Sequence, residues 1–416
     1  MKRFFLLTLA SAALLGASAA PVKTYEVKSP DGRLALVLTA GERLSFTVAR
    51  DGETLVAPSE MALTLSTGEV LGESPRVRSA RRRAVTETID APLYRQSRFD
   101  AAYNELDLRL RGDYGILARA YDDGVCYRFY TERDGELTIV DETAQLNFEG
   151  DPSAYIPYSK TEIPMRTSFE NTYEYAPLSK FRTQTVAFMP VLVDLGERGY
   201  VLYTESDVEA YPGVYLTYDK EAKGFAARFA ECPTETSLTK RFQDVVERSA
   251  DYIARVDGRR SYPWRIVAYA ATATELPVND MVWQTAEASR VADASWVRDG
   301  KIAWDWWNNW GVYGVDFKSG INTETYKYFI DFAAANGIEY VALDEGWGVR
   351  DGDVMHVVPE IDLPEIVSYA REKKVGIILW VVAKVLDDKL EEACRYYSEL
   401  GVAGWKVDFI DRQDQA

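Results

Sequence analysis

The sequence predicts a multidomain chain of β plus α/β class: a large antiparallel β-sandwich domain followed by parallel β/α units. Three observations predict it. Short runs of alternating hydrophobicity, broken by Gly, Asp and Pro turns, continue to about residue 270. From about residue 300 the texture changes to apolar strands alternating with amphipathic helices, as parallel β/α units require. At 416 residues the chain is also too long for one core.

The first element reads as an export signal over residues 1–19. Lys2 and Arg3 supply a positive start, Phe4 to Leu15 an apolar stretch, and Ala17-Ser18-Ala19 a small-residue cleavage site. The apolar run is shorter than the roughly 20 residues needed to span a bilayer. A periplasmic or secreted protein is therefore expected, and no later apolar run reaches spanning length.

Residues 20–275 form the expected β-sandwich domain, with strand-like runs such as Leu34–Leu38, Leu44–Val48 and Val125–Tyr130. Residues 276–300 read as a linker with some helical character. Residues 301–416 then give four β/α units. The strands are expected over 302–306, 340–344, 375–382 and 404–409, with helices over 323–336, 363–373 and 387–400. Four such units could be an open sheet or the first half of a barrel. A complete eightfold barrel takes about 250 residues, so the sequence reads as stopping midway through one.

Charge and composition exclude several functions. The formal net charge is −17, which repels nucleic acid and anionic membrane but not a neutral sugar. Cys126, Cys232 and Cys394 are far apart and without a C-x-x-C pair, so a zinc site or disulfide framework is not expected. His356 is the single histidine. A Ser-His-Asp mechanism is thereby disfavoured, and acid–base chemistry falls to carboxylates.

In a parallel barrel, residues at the C-terminal ends of strands face the active site. That rule selects Asp305, Trp306 and Trp307 on the first strand and Asp344 and Glu345 on the second. It selects Trp380 and Lys384 on the third, and Lys406 and Asp408 on the fourth. Aromatic faces stack on the C–H faces of sugars, while carboxylates and lysine bind the hydroxyls. Each has a plainer alternative, since tryptophans at strand ends also build cores and acids also cap helices. Lys406 and Asp408 share a side because strand side chains alternate with period 2. A charged pair on a buried strand is costly without a function. The lysine should keep Asp408 ionised, as a nucleophile requires.

At these residues the sequence resembles glycoside hydrolase family 97. The resemblance is carried by Lys301-Ile-Ala-Trp-Asp-Trp-Trp-Asn-Asn-Trp, by Gly320-Ile-Asn-Thr-Glu-Thr-Tyr-Lys-Tyr-Phe-Ile-Asp-Phe-Ala and by Leu343-Asp-Glu-Gly-Trp. In the β region it is carried by Arg119-Ala-Tyr-Asp-Asp-Gly-Val, Ser168-Phe-Glu-Asn-Thr-Tyr, Tyr211-Pro-Gly-Val-Tyr and Pro263-Trp-Arg. It implies a β-supersandwich, a (β/α)8 TIM barrel and a small C-terminal β domain. It also implies an exo-acting α-galactosidase that retains configuration on an α-linked oligosaccharide, with Asp408 as nucleophile. Trp304, Asp305, Trp306, Asp344, Trp380 and Lys406 are then expected to bind substrate. The acid/base glutamate is expected beyond residue 416, so the sequence as it stands is expected to be inactive. The family also binds Ca2+, with Glu170 the implied ligand here and Glu174 its neighbour. An inverting α-glucosidase of the same family and a non-catalytic sugar-binding protein are the alternatives.

Overall fold

The computed structural model describes residues 22–91, 93–160 and 165–416. The expected export signal over 1–19 lies outside them. From Lys23–Lys28 to Trp264–Ala270 the chain is a stack of antiparallel strands. Alternation builds them: in Leu34–Ala40 every second residue is buried, so one face reaches the core and the other does not. Leu36, Phe46, Leu108, Ile116 and Phe129 are among the residues that meet in that core.

The long strand Gly124–Asn147 organises the domain. Its first half pairs with Tyr114–Tyr121, and its second half pairs with Glu53–Leu65. On the other edge it takes Trp264–Ala270, Ala254–Ser261 and Gly224–Arg228 in turn. It breaks register at its middle, opposite Asp257 to Arg259. Gly258 sits at that break because a Cβ there would lie 2.6 Å from the Arg133 carbonyl.

The segment after Ala270 is partly anchored. A 3-10 turn, Ala273–Val278, leads into the short helix Met281–Thr285. Met281 is fully buried against Tyr103, Tyr121 and Trp264 of the sandwich. From Glu287 to Lys301 the chain is mostly exposed and irregular.

The second unit is a four-stranded parallel sheet in chain order, Ile302–Trp304, Tyr340–Leu343, Gly376–Val382 and Gly404–Asp408. Helices Thr323–Ala335 and Leu363–Glu372 cross between strands. Asn322 and Asp362 cap their N-termini by accepting from the amides of Thr325 and Glu365. Their apolar faces meet the sheet at Ile330, Ile366, Val341 and Ile377. Two differences from the sequence reading affect the site. The first strand stops at Trp304, and Asp305–Asn308 forms a 3-10 turn. The last helix, Leu390–Leu400, is closed by Gly401 at φ 106° as expected, but a short helix, Ala383–Asp387, precedes it directly after the third strand.

Candidate active site

The site lies at the C-terminal ends of the four parallel strands. Asp305 follows the first strand and is fully buried. The Tyr326 hydroxyl donates to its Oδ2 at 2.7 Å, and the Asp344 amide donates to its Oδ1 at 3.1 Å. Burial raises its pKa to about 6, more than these hydrogen bonds lower it. Its side chain therefore ties the ends of two strands together inside the protein.

Asp344, also buried, is the hub of the next layer. Trp304 Nε1 donates to its Oδ2 at 2.5 Å, and Lys406 Nζ donates to the same oxygen at 2.7 Å. The Glu345 amide takes Oδ1 at 2.8 Å. The Lys406 ammonium also lies 4.4 Å above the Trp304 ring. Trp306 stacks on Trp304, with ring centres 5.2 Å apart and planes 18° apart. Its other face is half open, and Trp307 is more exposed still.

Asp408 ends the fourth strand, and its side chain remains 41% exposed. Trp380 Nε1 donates to Oδ2 at 2.9 Å and the Phe409 amide donates to Oδ1 at 2.8 Å. Lys406 stands 3.5 Å from Oδ2, on the same side of the strand as the period-2 pattern requires. Partial burial pushes the carboxyl pKa up. The Trp380 bond, the Phe409 amide and the Lys406 charge outweigh it, leaving the pKa below the ordinary carboxylate value. The group is thus an anion with an open face. Phe409 adopts the left-handed conformation, φ 58°, which is uncommon for a bulky residue and costs on the order of 1–3 kcal/mol.

Several candidates lie elsewhere. Lys384 points away from this cluster, because the chain turns helical at Ala383 and its ammonium bonds Asp388 at 2.5 Å. His356 is exposed, with Nδ1 2.7 Å from Asp351 Oδ2. Cys126, Cys232 and Cys394 are free thiols; the first two are buried and Cys394 is half-buried. Glu170 is exposed on a loop whose Ser168 amide donates to Asp411 Oδ1 at 3.1 Å, just past Asp408. Among the described residues no group of three or more acidic, histidine or cysteine side chains is arranged to hold a metal. Calcium takes six to eight oxygens, and Glu170 supplies one carboxylate, so these residues do not by themselves form its cage. Arg241, which the sequence reading did not single out, reaches the site from the β domain. Its guanidinium bonds Glu345 at 2.9 Å and lies 4.7 Å over the Phe409 ring.

An anionic carboxylate open to solvent, a lysine-held acid beside it and exposed indoles suit sugar chemistry at an anomeric centre. Known proteins decide the family. Residues 27–287 match the family described as "Glycosyl-hydrolase 97 N-terminal", and residues 306–416 match "Glycoside hydrolase 97". The chain belongs to glycoside hydrolase family 97.

A retaining alpha-galactosidase of Bacteroides thetaiotaomicron is 42% identical over 402 residues, which is 94% of this chain and 61% of that protein. A probable retaining alpha-galactosidase of Streptomyces bingchenggensis is 30% identical, covering 93% of this chain and 56% of that protein. The family 97 chain thus spans about three-fifths of the relatives it matches. A family 97 enzyme of Pseudoalteromonas sp. strain K8 in complex with acarbose has a TM-score of 0.78 at 19% identity, covering 94% of this chain and 59% of that one. That likeness extends the agreement to the fold, a β-supersandwich followed by the first four units of a (β/α)8 barrel. Among the described residues no helix is long and apolar enough to cross a membrane.

Proposed function

We propose that this family 97 chain belongs to an exported, exo-acting glycoside hydrolase that cleaves terminal α-galactosides with retention, and that Asp408 is its nucleophile. One observation carries the reading. At the end of the fourth parallel strand a half-exposed carboxylate is kept anionic by an indole N–H, a backbone N–H and a nearby ammonium. The 42% identical relative, named as a retaining alpha-galactosidase, supports the sugar and the stereochemistry.

In this reading an Asp408 oxygen bonds to the anomeric carbon as the glycosidic C–O bond breaks, forming a glycosyl ester. A second carboxyl group about 5–5.5 Å away gives its proton to the departing oxygen. That group then takes a proton from water, the water oxygen attacks the same carbon, and Asp408 is released as carboxylate. Asp344 is not that second group, since its oxygens are taken by Trp304, Lys406 and the Glu345 amide. Trp306, backed by Trp304 and exposed on its other side, offers the ring face for the sugar, and Lys406 holds Asp344 and Asp408 in a fixed relation.

The test uses the full-length natural enzyme. It should release galactose from an aryl α-galactoside faster than glucose from the matching α-glucoside, and NMR should show the α-anomer first. Asp408→Asn should abolish turnover, with added azide restoring it as a β-galactosyl azide. Unimpaired turnover in Asp408→Asn removes Asp408 from the nucleophile role, and β-anomer release points to inversion.

A further inference from the structure

We propose that Arg241, carried by the β domain, is a positioning residue for Asp408, acting through Phe409. The proposal rests on the reading of Asp408 as nucleophile. Arg241 sits at the tip of the hairpin formed by Pro233–Leu238 and Asp244–Ser249, which pair only with each other. Most residues of the two strands are exposed. A lone two-stranded hairpin has little stability of its own, so its outside contacts decide where it lies: Arg166 holds the Val246 carbonyl along its length, and the tip holds its end. Its tip is shaped by Thr239, whose carbonyl accepts from the Phe242 amide and whose hydroxyl accepts from the Arg241 and Gln243 amides.

Four successive residues of this tip engage the barrel. Arg241 bonds Glu345, at the end of the second strand, and covers the Phe409 ring. The Phe242 ring packs so closely on Gly352 that a Cβ there would come within 2.9 Å. Gln243 Nε2 donates to Asp411 Oδ2 at 3.1 Å, and Asp244 pairs with Arg412. The tip therefore grips the loop after the second strand and the segment that follows Asp408.

Phe409 is the link to the carboxylate. Its amide donates to Asp408 Oδ1, and its ring meets the Trp380 indole edge-on with centres 5.7 Å apart. That indole donates to Asp408 Oδ2. Arg241 covers the ring, so a left-handed residue that costs energy is held between a guanidinium and an indole. Two of the three hydrogen bonds to Asp408, from the Phe409 amide and the Trp380 indole, depend on where Phe409 sits. Arg241 makes no hydrogen bond or ion pair to Asp408 itself; its partners are Glu345 and the Phe409 ring, and through that ring it sets the aim of the carboxylate.

The experiment follows the rate at which 5-fluoro-α-galactosyl fluoride labels Asp408 in the full-length enzyme, read by mass spectrometry of the labelled peptide. Arg241→Ala should slow the maximal labelling rate by about 10- to 100-fold, the penalty of a misaimed reacting group. The half-saturating probe concentration should change much less, and the melting temperature little, because the Arg241 side chain is half exposed. Arg241→Lys, which keeps a cation over the ring, should recover part of the rate. Arg248→Ala in the same hairpin, whose partner is the hairpin's own Glu235, should label like the parent. Equal maximal rates in parent and Arg241→Ala overturn the proposal, as does an Arg248→Ala loss as large as that of Arg241→Ala. A parent enzyme labelled at another residue overturns the nucleophile reading, and the proposal with it.

Discussion

Replacing Trp380 with Phe would delete one hydrogen-bond donor to Asp408 and keep an aromatic ring in its place. The indole N–H lies 2.9 Å from Asp408 Oδ2. A hydrogen bond to a charged acceptor contributes about 1.5–3 kcal/mol, which corresponds to about one to two pH units of acidity. Asp408 is 41% exposed, so water replaces part of the lost bond, and the Phe409 amide and Lys406 remain. The expected effect is therefore about 0.5–1 pH unit. Its sign follows from the balance at the site. Burial raises the Asp408 pKa and the three donors hold it below the ordinary value. With one donor gone, the carboxyl takes its proton at a higher pH. The nucleophile must be ionised, so activity is present above that pKa and fails earlier as pH falls. The acid limb of kcat/KM for an aryl α-galactoside reports the free enzyme, and it should move upward in Trp380→Phe. An acid limb that stays in place, in a variant that melts normally, would refute the claim that the indole holds the charge.

Three further outcomes are expected. Lys406→Met leaves the buried Asp344 without its cation; breaking a buried pair costs about 3–5 kcal/mol, reduced to about 1–3 kcal/mol because the lysine is 32% exposed. A urea midpoint equal to the parent's would contradict it. Arg265→Met strands Glu142 and Glu205, both almost fully buried around a guanidinium that is 1% exposed. It should destabilise the β domain by about 3–5 kcal/mol, and an unchanged denaturation curve would count against it. Asp305 holds its proton to about pH 6 in the fold against an ordinary 3.8. Between about pH 4 and 6 the native state keeps a proton that the unfolded chain has lost, so stability should fall with rising pH by at most roughly 3 kcal/mol. Asp305→Asn should flatten that slope, and an identical slope in both proteins would assign it to other groups.

What could be read in the sequence was what depends on neighbours along the chain. Alternation separated the sandwich strands from the parallel ones, and period 2 placed Lys406 and Asp408 on one side. The pairing across strands was not legible. Lys406 was expected to serve Asp408, yet it stands closer to Asp344, 2.7 Å against 3.5 Å, because register brings Trp380 beside Lys406 and Val382 beside Asp408. The indole of Trp380 thus does part of what was assigned to the lysine. Lys384 lies two residues past the strand end, since the strand closes at Val382 and a short helix begins at Ala383. Arg241 gave no local signal, since its partners are about 100 and 170 residues onward in another domain. Phe409 gave none either, because a left-handed aromatic is set by tertiary contacts and not by propensity.

Two clusters of buried charge allow a sharper distinction between chemistry and architecture. Arg265 with Glu142 and Glu205 is also a cluster of buried charge, and apolar residues of similar volume often replace such a cluster at little loss of stability. Burial of charge alone therefore does not mark a site. In the sandwich triad every charge is closed off, with the carboxylates saturated by one guanidinium and the Val214 amide. In the barrel the same kind of network, Asp305 to Asp344 to Lys406, leads outward to Asp408, whose anion is held on one side and open on the other. A network built only for stability has no need of that open end. The asymmetry of donors around Asp408, more than its charge or its place on a strand, is what a nucleophile requires of its surroundings.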